Sequence, residues 1–184
     1  MGAALGYFLI WHSHGTWLHG DSAGSVDKDT NTFGTPRLGP DLKRFERELK
    51  SMRHEPLVLS QQARDLVDKV MRRHCVIRNW DLRALAVRTN HVHVVVASPQ
   101  TEPERIVKQL KEWGTRELRA NGIIGDRELA WADHASTIYL FGLGDVEAKV
   151  RYVNEMQDEV PEGHGRKDWK AAYGLSRRAD ETPS

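Results

Sequence analysis

Two histidines separated by one apolar residue, His91 and His93 in the run Asn90-His-Val-His-Val-Val-Val96, are the residues of this sequence best spaced to do chemistry. Side chains alternate faces along a strand, so both imidazoles project to one side while Val92, Val94 and Val96 enter a core. Neutral imidazoles on one face suit a divalent cation, but two seldom hold one alone, and a third ligand must come from elsewhere. The plain alternative is a hairpin carrying two solvated histidines. A rival pair, His12 and His14, flanks Ser13. Its polar neighbours and the glycine that follows put it at a strand end or in a loop. His91 and His93 stand instead beside a three-valine anchor, which supplies the rigidity a ligand requires. Should the two strands pair, His12 and His14 become neighbours of the first pair or contacts for a substrate.

A tyrosine late in the chain is the second candidate. Val146, Val150, Val153 and Gln157 follow one another at steps of four, three and four, one line along a helix. Gln157 thereby faces the sheet, an unusual place for an amide unless something polar waits there. Tyr152 lies about 100° around the axis from Val153, at the border of the buried face. Viewed alone, such a tyrosine is an amphipathic packing residue with its hydroxyl at the surface.

The elements that must position these groups follow from periodicity. Tyr7 to Trp11 has strand character, with an extension possible to Trp17. Gly20 to Pro40 is a long Gly-, Ser-, Asp- and Pro-rich loop, and loops of that length in a compact domain are usually functional or mobile. Asp41 caps a helix to about Met52 with Leu42, Phe45 and Leu49 inward; Ser60 caps a second with Ala63, Leu66, Val67 and Val70 inward. Trp80 to Val87 alternates as a strand, with Leu82, Ala84 and Ala86 on one face and Arg83, Leu85 and Val87 on the other. It joins the histidine strand through Arg88-Thr-Asn90 as a hairpin. Glu102 to Ala120 is a helix stopped by Asn121-Gly122. Ser136 to Phe141 is a fourth strand, and Asp145 caps a last helix to about Asp158. The order β-α-α-β-β-α-β-α predicts an α+β fold, a ferredoxin-like antiparallel sheet of about four strands with helices packed on it. Past Pro161 the composition turns polar, and residues 159–184 are expected to form a loosely ordered tail.

Composition narrows the classes. The 184 residues are 39% hydrophobic and 29% charged, an ordinary globular balance, with a net charge of only +1. Nucleic-acid binding would therefore need local clusters of Lys and Arg rather than a whole-molecule field. The single cysteine, Cys75, excludes an internal disulfide and a cysteine-rich zinc site. No apolar run approaches the roughly 20 residues that span a bilayer, and the apolar stretch from Ala3 to Ile10 lacks the basic flank of a signal peptide. A cytoplasmic protein away from membranes is the expectation.

Taken together, Thr89-Asn90-His91-Val92-His93-Val94-Val95-Val96 and Val150-Arg-Tyr-Val-Asn-Glu-Met-Gln157 resemble the HUH superfamily of DNA-nicking enzymes, in its single-tyrosine transposase branch, which includes the REP-associated tyrosine transposases. The resemblance spans about residues 5 to 158, order of elements included. It implies a DNA transposase or nickase that cleaves and rejoins single-stranded DNA. Tyr152 would be the nucleophile, forming a 5′-phosphotyrosine link and releasing a 3′-hydroxyl, with Mg²⁺ or Mn²⁺ held by His91, His93 and Gln157. Many relatives carry the third ligand four residues after the tyrosine, where this chain has Met156; Asn154 and Glu155 are substitutes for Gln157. A phenol with an ordinary pKa near about 10 is a weak nucleophile at neutral pH, so positioning and proton removal must assist it.

The resemblance also implies single-stranded or hairpin DNA as partner and a homodimer. Phosphate contacts are then expected from Lys108, Lys111, Arg116 and Arg119, together with Arg105, on the central helix, and from a second cluster at Arg72, Arg73 and Arg78. Trp11, Trp17, Trp113 and Trp131 could each stack on an exposed base; core packing is the expected role for most of them, and Trp17, near the polar strand end, is the best placed to stack. Three other readings share part of this pattern: a relaxase or replication-initiator nickase, a non-catalytic nucleic-acid-binding module, and a metal-dependent hydrolase in which Tyr152 is incidental.

Overall fold

The computed structural model describes residues 3–18, 41–52 and 54–155. Strands and helices alternate as β1 (Gly6–Ser13), α1 (Leu42–Ser51), α2 (Gln61–Ile77), β2 (Asp81–Val87), β3 (His91–Ala97), α3 (Pro103–Ala120), β4 (Trp131–Leu140) and α4 (Leu143–Glu155). The strands form one sheet in the order β2-β3-β1-β4, and each neighbouring pair is antiparallel. This is the anticipated α+β, ferredoxin-like arrangement. The long loop after Gly20, Gln157 and the segment 159–184 lie outside the described residues.

Each face of the sheet carries its own core. Leu9 and Trp11 of β1 and Val92, Val94 and Val96 of β3 point one way and are sealed by α2 and α3 through Ala63, Val67, Met71, Ile106, Val107 and Leu110. Phe8 and Val95 point the other way, with Ala84 of β2 and Leu140 of β4, and are covered by Val153, Val146 and Val150 of α4. Helix α3 can sit close because Gly114 has no side chain: a Cβ there would stand 3.1 Å from the Trp131 ring. Ser60 caps α2, its Oγ accepting from the Ala63 amide at 3.2 Å, and Asp41 caps α1 by accepting from Arg44 at 3.0 Å.

Four details depart from the sequence reading. Leu42 is 75% exposed, so Phe45 is the buried anchor of α1. Strand β2 carries an irregularity between Leu82 and Ala84, which leaves Arg83 outside the regular pairing. Leu82 therefore joins Leu85 and Val87 in the α2–α3 core while Ala84 and Ala86 face α4. Strand β4 begins at Trp131 rather than Ser136, because Ser13 still pairs with Trp131 after a bulge at residues 132–134. Lys111 holds that bulge, its ammonium 2.8, 3.2 and 3.4 Å from the carbonyls of Ala132, Asp133 and His134. Burial there pushes the Lys111 pKa down to about 8. Finally, Asp145 does not occupy the cap of α4. Gly142 does, its carbonyl accepting from the amides of Asp145 and Val146, and the Asp145 carboxylate reaches back to the Gly142 N–H at 3.1 Å.

The end of β1 fixes the turn that precedes β3. Ser13, fully buried, donates its backbone N–H to the Asn90 carbonyl at 2.9 Å and its hydroxyl to the Leu57 carbonyl at 2.6 Å. The Thr16 hydroxyl lies 3.1 Å from the same Asn90 carbonyl, and the Leu59 amide donates to Thr89 at 2.7 Å. Removing one of these donors leaves a buried carbonyl short of a partner, which costs about 1–3 kcal/mol. Ser13→Ala is expected to lose stability by that amount in urea unfolding, and an unchanged midpoint would show the turn to be held by other means.

Candidate active site

Pairing of β1 with β3 sets His12 opposite His91 and Ile10 opposite His93. All three histidines lie on the α4 face, since Phe8 and Val95, two residues away in register, belong to the α4 core. Their rings form a row. The His12 and His91 centroids are 5.7 Å apart, those of His91 and His93 4.6 Å. Trp17, just beyond β1, adds its indole at 4.2 Å from His12. At the other end, the Tyr152 ring lies near-parallel to His93, with a centroid separation of 5.8 Å and 25° between planes.

Helix α4 brings the tyrosine there. Val153 is buried, and Val146 and Val150 pack beside it, which anchors the helix by the stripe read from the sequence. Tyr152, next to Val153, falls at the margin: its ring meets Phe8 edge-on at 6.0 Å and it remains 38% exposed. A phenol at this border can touch His93 and still reach a ligand arriving from solvent. Asn154 and Glu155 are exposed at the end of α4.

The hydrogen bond of one imidazole and the burial of the other bear on how each could meet a cation. His91 Nδ1 lies 2.7 Å from Asn90 Oδ1, an atom that only accepts, so Nδ1 carries a hydrogen and, in the neutral ring, Nε2 is the nitrogen left with a lone pair. A neighbouring amide oxygen of this kind is the usual means of fixing a ligand tautomer. Burial pushes the His93 pKa down to about 3, assisted by His91, His12 and Arg88 nearby. Two imidazoles side by side, with centroids 4.6 Å apart, are a donor pair of the type divalent ions take. Among the described residues, no group of three His, Cys, Asp or Glu side chains is spaced to hold one. His14 stands apart in the turn after β1, where burial lowers its pKa and His54 adds to the effect.

The cations proposed for phosphate contact lie elsewhere. Helix α3 packs in the opposite core, so the sheet separates its side chains from the histidine row. Lys108 faces Glu112 at 3.9 Å, Arg116 covers the Trp113 ring at 5.1 Å, and Arg119 donates to the Glu128 carbonyl at 3.0 Å. Lys111 donates to the carbonyls of the β4 bulge. In the second cluster, Arg72 is paired with Asp68 at 2.7 Å and Arg78 lies over Trp80 at 5.9 Å. Two residues at the site escaped the sequence reading: Phe8, beneath the tyrosine, and Lys149, whose ammonium lies 5.8 Å from the Tyr152 ring centre. The three-residue step from Lys149 to Tyr152 was the available signal for the latter.

A family model described as "Transposase IS200 like" matches residues 51–156, more than half of the chain and inclusive of β3 and Tyr152. The chain belongs to the IS200-like transposase family. A solved structure described as a candidate transposase from Deinococcus radiodurans is similar to it at 18% identity and a TM-score of 0.47, covering 81% of this chain and 88% of that one. A search of curated proteins finds no match. Among the described residues of this IS200-like transposase, no helix is long and apolar enough to cross a membrane.

The lowered His93 pKa has a measurable sign. Its neutral form is favoured by folding, so stability falls as pH drops from the ordinary value of 6.5 toward 3, while the unfolded chain takes up the proton and the folded one does not. In an NMR titration of the metal-free protein, the His93 ring signals are expected to stay flat between pH 8 and 4. A midpoint near 6.5 would contradict the buried, neutral state.

Proposed function

We propose that this transposase cleaves and rejoins single-stranded DNA through a covalent 5′-phosphotyrosine formed by Tyr152. The observation that carries the reading is the contact of the Tyr152 ring with His93, at the end of the histidine row. A nucleophile and a pair of imidazole nitrogens side by side are parts that metal-assisted in-line phosphoryl transfer uses. In the step, Tyr152 Oη bonds phosphorus as the bond from phosphorus to the 3′ oxygen breaks. The phenol loses its proton to solvent, and the departing 3′ oxygen takes one up. Attack by a 3′-hydroxyl on the phosphotyrosine reverses the sequence, so the bond is conserved and no nucleotide cofactor is consumed.

His91 and His93 are the residues that would hold Mg²⁺ or Mn²⁺, completed by Gln157, or by Asn154 or Glu155, and by water and phosphate oxygens. Bound there, the cation would supply Lewis acidity to the scissile phosphate. Asn90 orients the His91 ring for this purpose through Nδ1. Trp17 and His12 continue the ring row away from Tyr152 and would offer faces to the unpaired bases beside the cleavage point. Any DNA contact by Lys108, Arg116 or Arg119 would fall on the far side of the sheet, away from the scissile phosphate. Homodimerisation is proposed on the resemblance; burial of Val153 against the sheet of its own chain supports a tyrosine and histidines drawn from one subunit.

Helices on both faces of the sheet argue against a non-catalytic RNA-binding module, which would use an open face. The test is incubation of the protein and Mn²⁺ with single-stranded hairpin DNA taken from the flanks of its own gene. A denaturation-resistant adduct mapping to Tyr152, lost in Tyr152→Phe, is the expected result; strand cleavage that survives Tyr152→Phe would point to a hydrolase instead.

A further inference from the structure

Lys149 has no part in the chemistry described so far. It precedes Tyr152 by three residues, a step that places both side chains on one side of α4. Its ammonium lies 5.1 Å from the centre of the Phe8 ring and 5.8 Å from that of Tyr152. Phe8 in turn meets His93 edge-on, with centroids 5.5 Å apart. Cation, phenol and imidazole are thus gathered around one phenylalanine, at a point where α4 rises to the protein surface.

The surroundings of this lysine are aromatic rather than acidic. Its ammonium rests against two rings, and among the described residues it pairs with no carboxylate. Ring faces favour the cation only modestly, about 0.5–2 kcal/mol, and do not neutralise it. A fixed positive charge beside a nucleophile is useful where negative charge accumulates. During attack on a phosphodiester that place is the set of non-bridging oxygens.

We propose that Lys149 binds a non-bridging oxygen of the scissile phosphate and offsets the charge that develops there as Tyr152 attacks. The assignment rests on Tyr152 being the nucleophile. It makes Lys149 a catalytic residue supplied by the same helix, so that one element delivers both the attacking oxygen and a counter-charge for its target.

The test compares wild type, Lys149→Met and Lys149→Arg in single-turnover adduct formation on the same gene-flanking hairpin DNA with Mn²⁺. Loss of the charge is expected to slow adduct formation about 10²-fold, and Lys149→Arg to recover most of it, with Tm nearly equal across the three. A second measurement separates phosphate binding from a mere packing role. In the uncleavable Tyr152→Phe protein, replacing the scissile phosphodiester by a neutral methylphosphonate should weaken binding about tenfold, and adding Lys149→Met should abolish that difference. Wild-type rates in Lys149→Met, or equal sensitivity to the methylphosphonate with and without the lysine, would overturn the assignment. Failure of the wild type itself to form an adduct overturns the tyrosine reading and this one with it, and is distinguishable because the lysine is then intact.

Discussion

Strand β3 runs through the middle of the sheet with helices on either side, so each of its side chains has one of two environments. Val92, Val94 and Val96 meet α2 and α3; His91, His93 and Val95 meet the α4 side. The alternation has a period of two, and a slip of one residue would exchange the two sets. Putting His91 and His93 among α2 and α3 would bury polar rings in the larger apolar core and turn three valines toward α4. The cost of that exchange holds the register of β3, and pairing of β1 to β3 transmits it to His12 and Phe8. The histidine row and Phe8 inherit their positions from this constraint.

Much of this was legible in the sequence because it is written in local pattern. The valine run announces a buried strand, and the single residue between His91 and His93 puts both on one face whatever the partner strands do. The stripe of Val146, Val150 and Val153 likewise foretells how α4 packs, and hence that Tyr152 lies at its edge. What stayed hidden depends on contacts between distant residues. Leu82 and Ala84 satisfy a regular alternation on paper, and only the pairing with β3 reveals that Arg83 is set aside. The start of β4 is masked by Asp133 and His134, polar residues that a lysine from α3 holds in a bulge. The setting of Lys149 is not local either, since Phe8, the ring beneath its ammonium, comes from the other end of the chain.

The charge pattern also divides along the sheet. Cations on α3 are engaged with a glutamate, an indole and backbone carbonyls on the side away from the histidines. The α4 side holds a row of imidazoles, His93 among them buried and held neutral, and a lysine over aromatic rings. Single-stranded DNA carries both phosphates and exposed bases, and a row of rings ending at a cation offers something to each. A net charge of +1 is therefore no obstacle to the proposed substrate.

Both outermost strands of the sheet are irregular: β2 at Arg83, and β4 where Lys111 grips residues 132–134. An open strand edge is a template for unwanted pairing with another chain, and a kink or a buried charge along it spoils the match. The first part of β4 has its carbonyls at 132–134 turned to the lysine, and the start of β2 is broken by an arginine. A long straight ladder, the kind from which fibrils grow, thus meets an interruption at Arg83 on one flank and at residues 132–134 on the other. The bulges that obscured the strand limits in the sequence double as a guard against edge-to-edge strand pairing.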